Sequence, residues 1–182
     1  MPIPTATMDN PNPVIFSSKK DIRREVRSIW IDSSEEFIDA AEEGDNLPEV
    51  IDEDEIYDLL RSITDPEHPS TTLEQLGVVT AEQIKISGNH ISVRFTPTVP
   101  HCGMATLIGL SLRVRLLRSL PARFRVDITV KEGSHQSESA LNKQLNDKER
   151  VAAALENTTL LDVVNGCLAT ANLRGRDPID AA

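Results

Sequence analysis

Along the chain the apolar positions change period several times, and each change predicts an element. Asp52, followed three residues later by Glu55, has the form of a capping box, and Ile56, Leu59, Leu60 and Ile63 give the helix it opens an apolar face. Proline disfavours a helical residue before it, so that helix is expected to run to Asp65-Pro66. Ile84 and Ile86 then alternate with polar residues, Gly88-Asn89 supplies a two-residue turn, and Ile91, Val93 and Phe95 resume the alternation, which predicts a hairpin. Closure on that turn pairs Ser87 with His90, so Ile86 faces Ile91, Ile84 faces Val93, and all four share one face.

After Pro100 the run HCGMATLIGLSLRVRLLRSL is apolar nearly all round in its first turns and carries Arg113, Arg115 and Arg118 later. This predicts a mostly buried helix, beginning immediately after Cys102, with a basic end. Phe124, Val126, Ile128 and Val130 alternate as a third strand, so strand, helix and strand should form a right-handed parallel crossover. Asp147 can cap a helix through Glu156. Thr159 with Asp162 suggests a further capping box, ahead of a stripe of Leu160, Leu161, Val163, Val164, Cys167 and Leu168. The fold class is α+β: a two-layer α/β domain in which helices cover one face of a short mixed sheet, hairpin plus crossover.

Residues 1–50 differ in kind. Four prolines precede Val14, and the acidic block from Asp32 to Asp58 contains no Lys or Arg, so repulsion should hold this stretch extended as a mobile arm. Within it Ile22, Val26, Ile29 and Trp30 recur at helical spacing among Lys20, Arg23, Arg24 and Arg27, which predicts a short helix over 19–31. That helix either folds back on its own domain or docks on another protein. The domain itself is expected over 51–171, followed by a polar tail over 172–182.

The 182 residues suit one domain with tails. Neither a membrane-length apolar stretch nor a signal-peptide start is evident, so a soluble intracellular protein is expected. The net charge of -10 and 3% aromatic content argue against base stacking or a general phosphate-binding surface, and so against direct nucleic-acid binding. Two cysteines far apart in sequence make no disulfide framework.

Cys102 carries the chemistry. Pro97 and Pro100 hold its approach extended, and a helix start behind it favours thiolate over thiol, with His101 alongside to add charge or accept a proton. Such a thiolate suits a nucleophile, a redox sensor or a soft ligand for iron. The structural alternative is a small residue at a helix start. Asp65 and Glu67, in DPEHP, sit on a turn stiffened by two prolines. Placed beside Cys102 they could tune the thiol, and otherwise Asp65 caps and Glu67 is solvated. Cys167, on an apolar stripe, reads as core. The four histidines show no zinc spacing.

RSITDPEHP at 61–69, FTPTVPHCGMATLIGLSLRVRLLRSLP at 95–121 and NKQLNDKERVAAALEN at 142–157 together resemble the cytosolic iron-sulfur assembly component 2 family, the Galla-type branch of small cysteine-bearing assembly domains. The likeness covers about Asp52 to Leu168, with a further match at NPVIF, 12–16, and its details are similar to the B-type branch. The resemblance implies an adaptor, not an enzyme. It would bridge a WD40 propeller protein and a HEAT-repeat protein in a targeting complex that delivers [4Fe-4S] clusters to cytoplasmic and nuclear apoproteins such as DNA polymerases, primase and helicases. It makes Cys102 the reactive thiol or transient cluster ligand, with His101, Asp65, Glu67, Thr96 and Thr98 in support, no stably bound cofactor, and a free protein open to homodimerisation. One thiol cannot hold a [4Fe-4S] cluster, which normally takes four cysteines, so any contact is transient or shared with ligands from elsewhere. The competing expectation is a small thiol enzyme or redox sensor in which Cys102 attacks, His101 serves as base and Asp65 or Glu67 orients it.

Overall fold

In the computed structural model, which describes residues 9–17, 51–101 and 103–173, the Asp52 side chain accepts from the Glu55 N–H at 2.9 Å and opens α1, Glu53–Leu60. Ile56, Leu59 and Leu60 point into the core. The helix stops at Leu60, short of the expected Asp65-Pro66, although Ile63 is still fully buried. Backbone pairing with the following segment ends it: the Leu73 N–H donates to Ile63 and the Asp65 N–H to Thr71, with a bridge between Thr64 and Thr72. Backbone groups satisfied in this way are no longer available to an α-helical ladder.

The hairpin forms in the register that side-chain alternation predicts. β1, Ile84–Ser87, pairs antiparallel with β2, His90–Phe95, so that Ile84 meets Val93 and Ile86 meets Ile91. Gly88 at the turn has φ of 58°, which a residue with a Cβ adopts at a cost. α2, Ala105–Ser119, then crosses to β3, Arg125–Val130, parallel to β2, giving the order β1-β2-β3. The expected mixed sheet is thus present. Ile91, Val93, Phe95, Val126, Ile128 and Val130 are buried beneath the helices, while Arg94 and Arg125 lie exposed on the other side.

α2 is apolar around much of its girth because it is packed on two sides. Ala105, Ile108, Leu112 and Leu116 join the sheet core, and Leu110 and Val114 meet Val151 and Val164. Those two partners come from α4, Lys148–Glu156, and α5, Thr158–Leu168, which lie against the outer side of α2. A Cβ on Gly109 would sit 2.4 Å from Leu145, so the close approach of the neighbouring helix requires glycine there. That neighbour, α3, Glu138–Asn146, is an element the apolar pattern does not predict, since only Leu141 and Leu145 are buried on it.

α3 has a second task. Asn142 Oδ1 accepts from the Val130 N–H at 2.8 Å, and Asn146 accepts from the Ile128 N–H at 2.9 Å while donating to the Ile128 carbonyl at 2.8 Å. Two amide side chains therefore stand where another strand would pair, and they close the β3 edge. Asp147 caps α4 as expected, accepting from Glu149 and Arg150. For α5 the cap is Asn157, which accepts from Thr159 and Leu160, so the helix begins before the expected Thr159 cap. Two of the basic residues of α2 are tied to neighbouring elements, Arg113 reaching the Val126 carbonyl and Arg115 the carbonyls of Leu59 and Ala171, while Arg118 is exposed.

Of the span expected as an arm, residues 9–17 rest on the domain. The helix expected over 19–31 lies outside the described residues, as do 18–50 generally and the tail beyond 173. Among the described residues no helix is long and apolar enough to cross a membrane.

Candidate functional site

The DPEHP turn is self-capped. Asp65, 3% exposed, accepts through Oδ1 from the backbone N–H groups of Glu67 at 2.6 Å and His68 at 3.1 Å, as an acidic side chain does at the head of a turn. Behind it, the Thr64 N–H and hydroxyl both donate to the Cys167 carbonyl, at 3.1 and 3.3 Å, and fasten the turn to the end of α5. Cys167 is buried, as its stripe predicts, and burial pushes its thiol above the ordinary range.

Glu67 is not solvated. Its Oε1 accepts from the N–H groups of both Asp9 and Asn10, the latter at 3.3 Å, and His68 Nε2 lies 2.8 Å from the Asn10 carbonyl, where it can only donate. From there residues 9–17 run to a second anchor. The Phe16 N–H donates to the Gln75 carbonyl at 2.7 Å and its ring packs on Gly77, 3.0 Å from where a Cβ would stand. Gly77 has φ of 64°, so the turn conformation and the ring both favour glycine.

Cys102 itself lies outside the described residues, but both its neighbours are placed and exposed. The Gly103 N–H, which belongs to the peptide bond that Cys102 forms, donates to Asp9 Oδ2 at 2.8 Å. On the other flank the Gln136 N–H donates to the Pro100 carbonyl at 2.8 Å. The first helical residue is Ala105, with Met104 as the cap whose carbonyl receives the Ile108 N–H at 3.0 Å. Cys102 therefore precedes the helix by a short turn, where the sequence reading started the helix directly behind it. Residues 103 and 104 form that turn, and the buried Ala105 begins the packed face.

The supporting residues divide. Thr96 is structural in its contacts: its N–H donates to Val78 at 2.9 Å and its hydroxyl accepts from Gln83 Nε2 at 2.7 Å, tying the end of β2 to the 3-10 turn Ala81–Gln83. Thr98 is half-buried further along the same approach, and His101 is exposed at its end. Asp65 is engaged within its own turn and Glu67 with residues 9 and 10. Asp9 joins the two parts of the site, its N–H on Glu67 and its carboxylate on Gly103. Sequence reasoning missed Asp9, Asn10 and His68 as partners. His68 lay within the DPEHP motif, but for Asp9 and Asn10 the signal nearby was NPVIF at 12–16, which says that the segment matters without saying where it lies. Among the described residues no group of three His, Cys, Asp or Glu side chains could hold a metal ion.

The stretch that holds α1, the hairpin, the crossover helix and β3 is an assembly-type domain by comparison: the family described as iron-sulfur cluster assembly protein matches residues 53–130. Full-length similarity is more particular. The chain is 53% identical to mouse cytosolic iron-sulfur assembly component 2B over 163 residues, 88% of this chain and 91% of that protein. It is 58% identical to the Drosophila melanogaster MIP18 family protein galla-2 over 137 residues, 74% of this chain and 87% of that one. A Dictyostelium discoideum protein, also named cytosolic iron-sulfur assembly component 2B, is 53% identical over 164 residues, 88% and 97% of the two chains. The chain belongs to the cytosolic iron-sulfur assembly component 2, or MIP18, family, on the B-type branch that its sequence resembles.

Proposed function

We propose that this chain is an adaptor in cytosolic iron-sulfur assembly, acting in the cytoplasm and the nucleus, and that Cys102 is its working thiol. The observation that carries the reading is the placement of the loop around Cys102. His101 and Gly103 are exposed, and the loop is held from two sides by Asp9 and Gln136, so the residues on either side of Cys102 are braced at the surface. The [4Fe-4S] cluster is cargo, delivered to client apoproteins, among them DNA polymerases, primase and helicases. A cluster that normally takes four cysteine ligands needs the others from a client, from a partner or from a second copy of this chain. The partners in this reading are a WD40 propeller protein, bound by the folded domain, and a HEAT-repeat protein, whose contact includes residues 1–50.

The test is anaerobic reconstitution of the complex with wild type and Cys102→Ala, followed by cluster transfer to an apoprotein client read by visible absorption and client activity. Transfer should fall by at least about tenfold in the variant if one of the normal four ligands is lost. Undiminished transfer would overturn the role of the thiol. Failure of wild type to capture either partner would overturn the bridging role.

A further inference from the structure

We propose that the groove between the last turns of α2 and the start of β3 is a docking site for a short acidic segment of a partner protein. Such a segment would seat apolar side chains in the groove and set carboxylates on the arginines around it. The groove exists because of how the helices cover β3. α3 closes the strand edge at Val130 and Ile128 through Asn142 and Asn146, and ends there. α4 then packs on α2 at Leu110 and Val114 and leaves the edge. The strip beside Val126 stays open, a groove of about 290 Å³ with buried Leu116 and Val126 at its base and Leu117, Leu120 and Phe124 at its sides. Beyond residues 9–17, Leu117 at 52% is the most exposed large apolar side chain among the described residues.

The charge around the groove selects its occupant. Arg123 lays its guanidinium over the Phe124 ring, 4.9 Å from the ring centre, and the Arg125 side chain is 80% exposed at the first residue of β3. On the helix side Arg113 reaches the Val126 carbonyl at 3.2 Å, and Arg118 is exposed next to Leu117. No Asp or Glu occurs between His101 and Val126, in a chain whose net charge is -10. The next acid, Asp127, is engaged by His90 at 2.7 Å and by Arg125 at 3.8 Å. Fields at physiological salt reach only about 8 Å, so a segment arriving here meets the arginines and not the net charge of the chain. Exposed guanidiniums offer paired donors that match a carboxylate, and a positive surface turns basic segments away. The groove is small for a site that encloses a ligand, and suits a few apolar side chains of a peptide. The cysteine loop lies at the other end of α2, about 20 Å away, so the inference stands whether or not Cys102 is the working thiol.

A phage-displayed library of random short peptides, panned against the full-length chain, supplies a probe without presuming the partner. Selected peptides should carry net negative charge together with large apolar residues. Synthesised with a fluorescein label and titrated by anisotropy, they should bind wild type with an affinity that falls as salt rises. Leu117→Asp, and separately the pair Arg123→Glu and Arg125→Glu, should each weaken that binding by at least about tenfold, because like charges then face each other across the groove. All three positions are exposed, so the variants should keep the wild-type urea midpoint, and the two substitutions test the apolar and the charged part independently. Selected peptides with no charge bias, or binding that both variants leave unchanged, would overturn the proposal. So would the other occupants. If the chain's own acidic residues 32–50 fill the groove, no peptide that these substitutions weaken is selected. If a second copy fills it, sedimentation shows a dimer that Leu117→Asp abolishes.

Discussion

Two polar networks flank the same turn and differ chiefly in exposure. Around Arg61, which is fully buried, Asp58 stands at 2.9 Å and Glu74 at 3.6 Å, the Tyr57 hydroxyl donates to Glu74 at 3.1 Å, and the guanidinium lies 5.9 Å from the Tyr57 ring centre. Around Asp9 the partners are backbone N–H groups and Glu67, with Asp9 itself exposed. A charge taken out of water must keep its partner, whereas an exposed one exchanges protein partners for water at little net cost. The first network therefore belongs to the fold and the second can belong to function.

The sharpest way to break the comparison is Arg61→Met, which preserves much of the volume and removes the charge. Glu74, 8% exposed, would lose the cation and Asp58 its neighbour. Breaking a buried pair by deleting one member costs about 3–5 kcal/mol, and urea unfolding should show a loss of that size. A loss under about 1 kcal/mol, the range of exposed pairs, would put the Arg61 network in the same class as the Asp9 network.

Alkaline titration probes the buried side with a smaller effect. Burial, reinforced by the Glu74 charge, holds the Tyr57 phenol well above its ordinary range, and burial likewise raises the Cys167 thiol. Both groups stay protonated in the fold after they would ionise in the unfolded chain. Their stabilising contribution is therefore complete below the unfolded values and is lost as pH rises through the window above them, from about 9 for the thiol and about 10 for the phenol. Each group adds at most about 1.4 kcal/mol per pH unit to that fall. Urea midpoints measured across the window should drop for wild type and drop less steeply for Cys167→Ala. Identical slopes would show that the thiol ionises alike in both states.

The contrast also explains what could be read from the chain. Period-two alternation around Gly88-Asn89 carries its own register, so the hairpin and its pairing followed from local information, as did the buried character of α2 and Cys167. The end of α1 did not, because pairing of residues 61–65 with residues further along the chain sets it. α3 stayed hidden because its work is done by Asn142 and Asn146 on a strand edge, and amides leave no apolar period. At the site, the thiol and the DPE turn stood out by residue type, while Asp9 pairs with Gly103 across 94 residues of sequence, a contact no spacing rule contains. Polar residues announce their chemistry locally, but tertiary structure assigns their partners.

The smallest effect is the one that separates the two networks most cleanly. Asp9 is exposed, the Gly103 N–H can turn to water when the carboxylate is removed, and the backbone N–H on Glu67 stays, so Asp9→Ala should change unfolding stability by no more than about 0.5 kcal/mol. Its urea midpoint should match wild type even though residues 9–17 have lost one anchor. Amide exchange should localise the difference, with faster exchange at Asn10 and Gly103 and unchanged rates on the central strands, because local opening of an exposed segment is uncoupled from global unfolding. A stability loss approaching that of Arg61→Met would mean that residues 9–17 fold as one unit with the domain. Residues 9–17 would then be structure in the same sense as the buried pair.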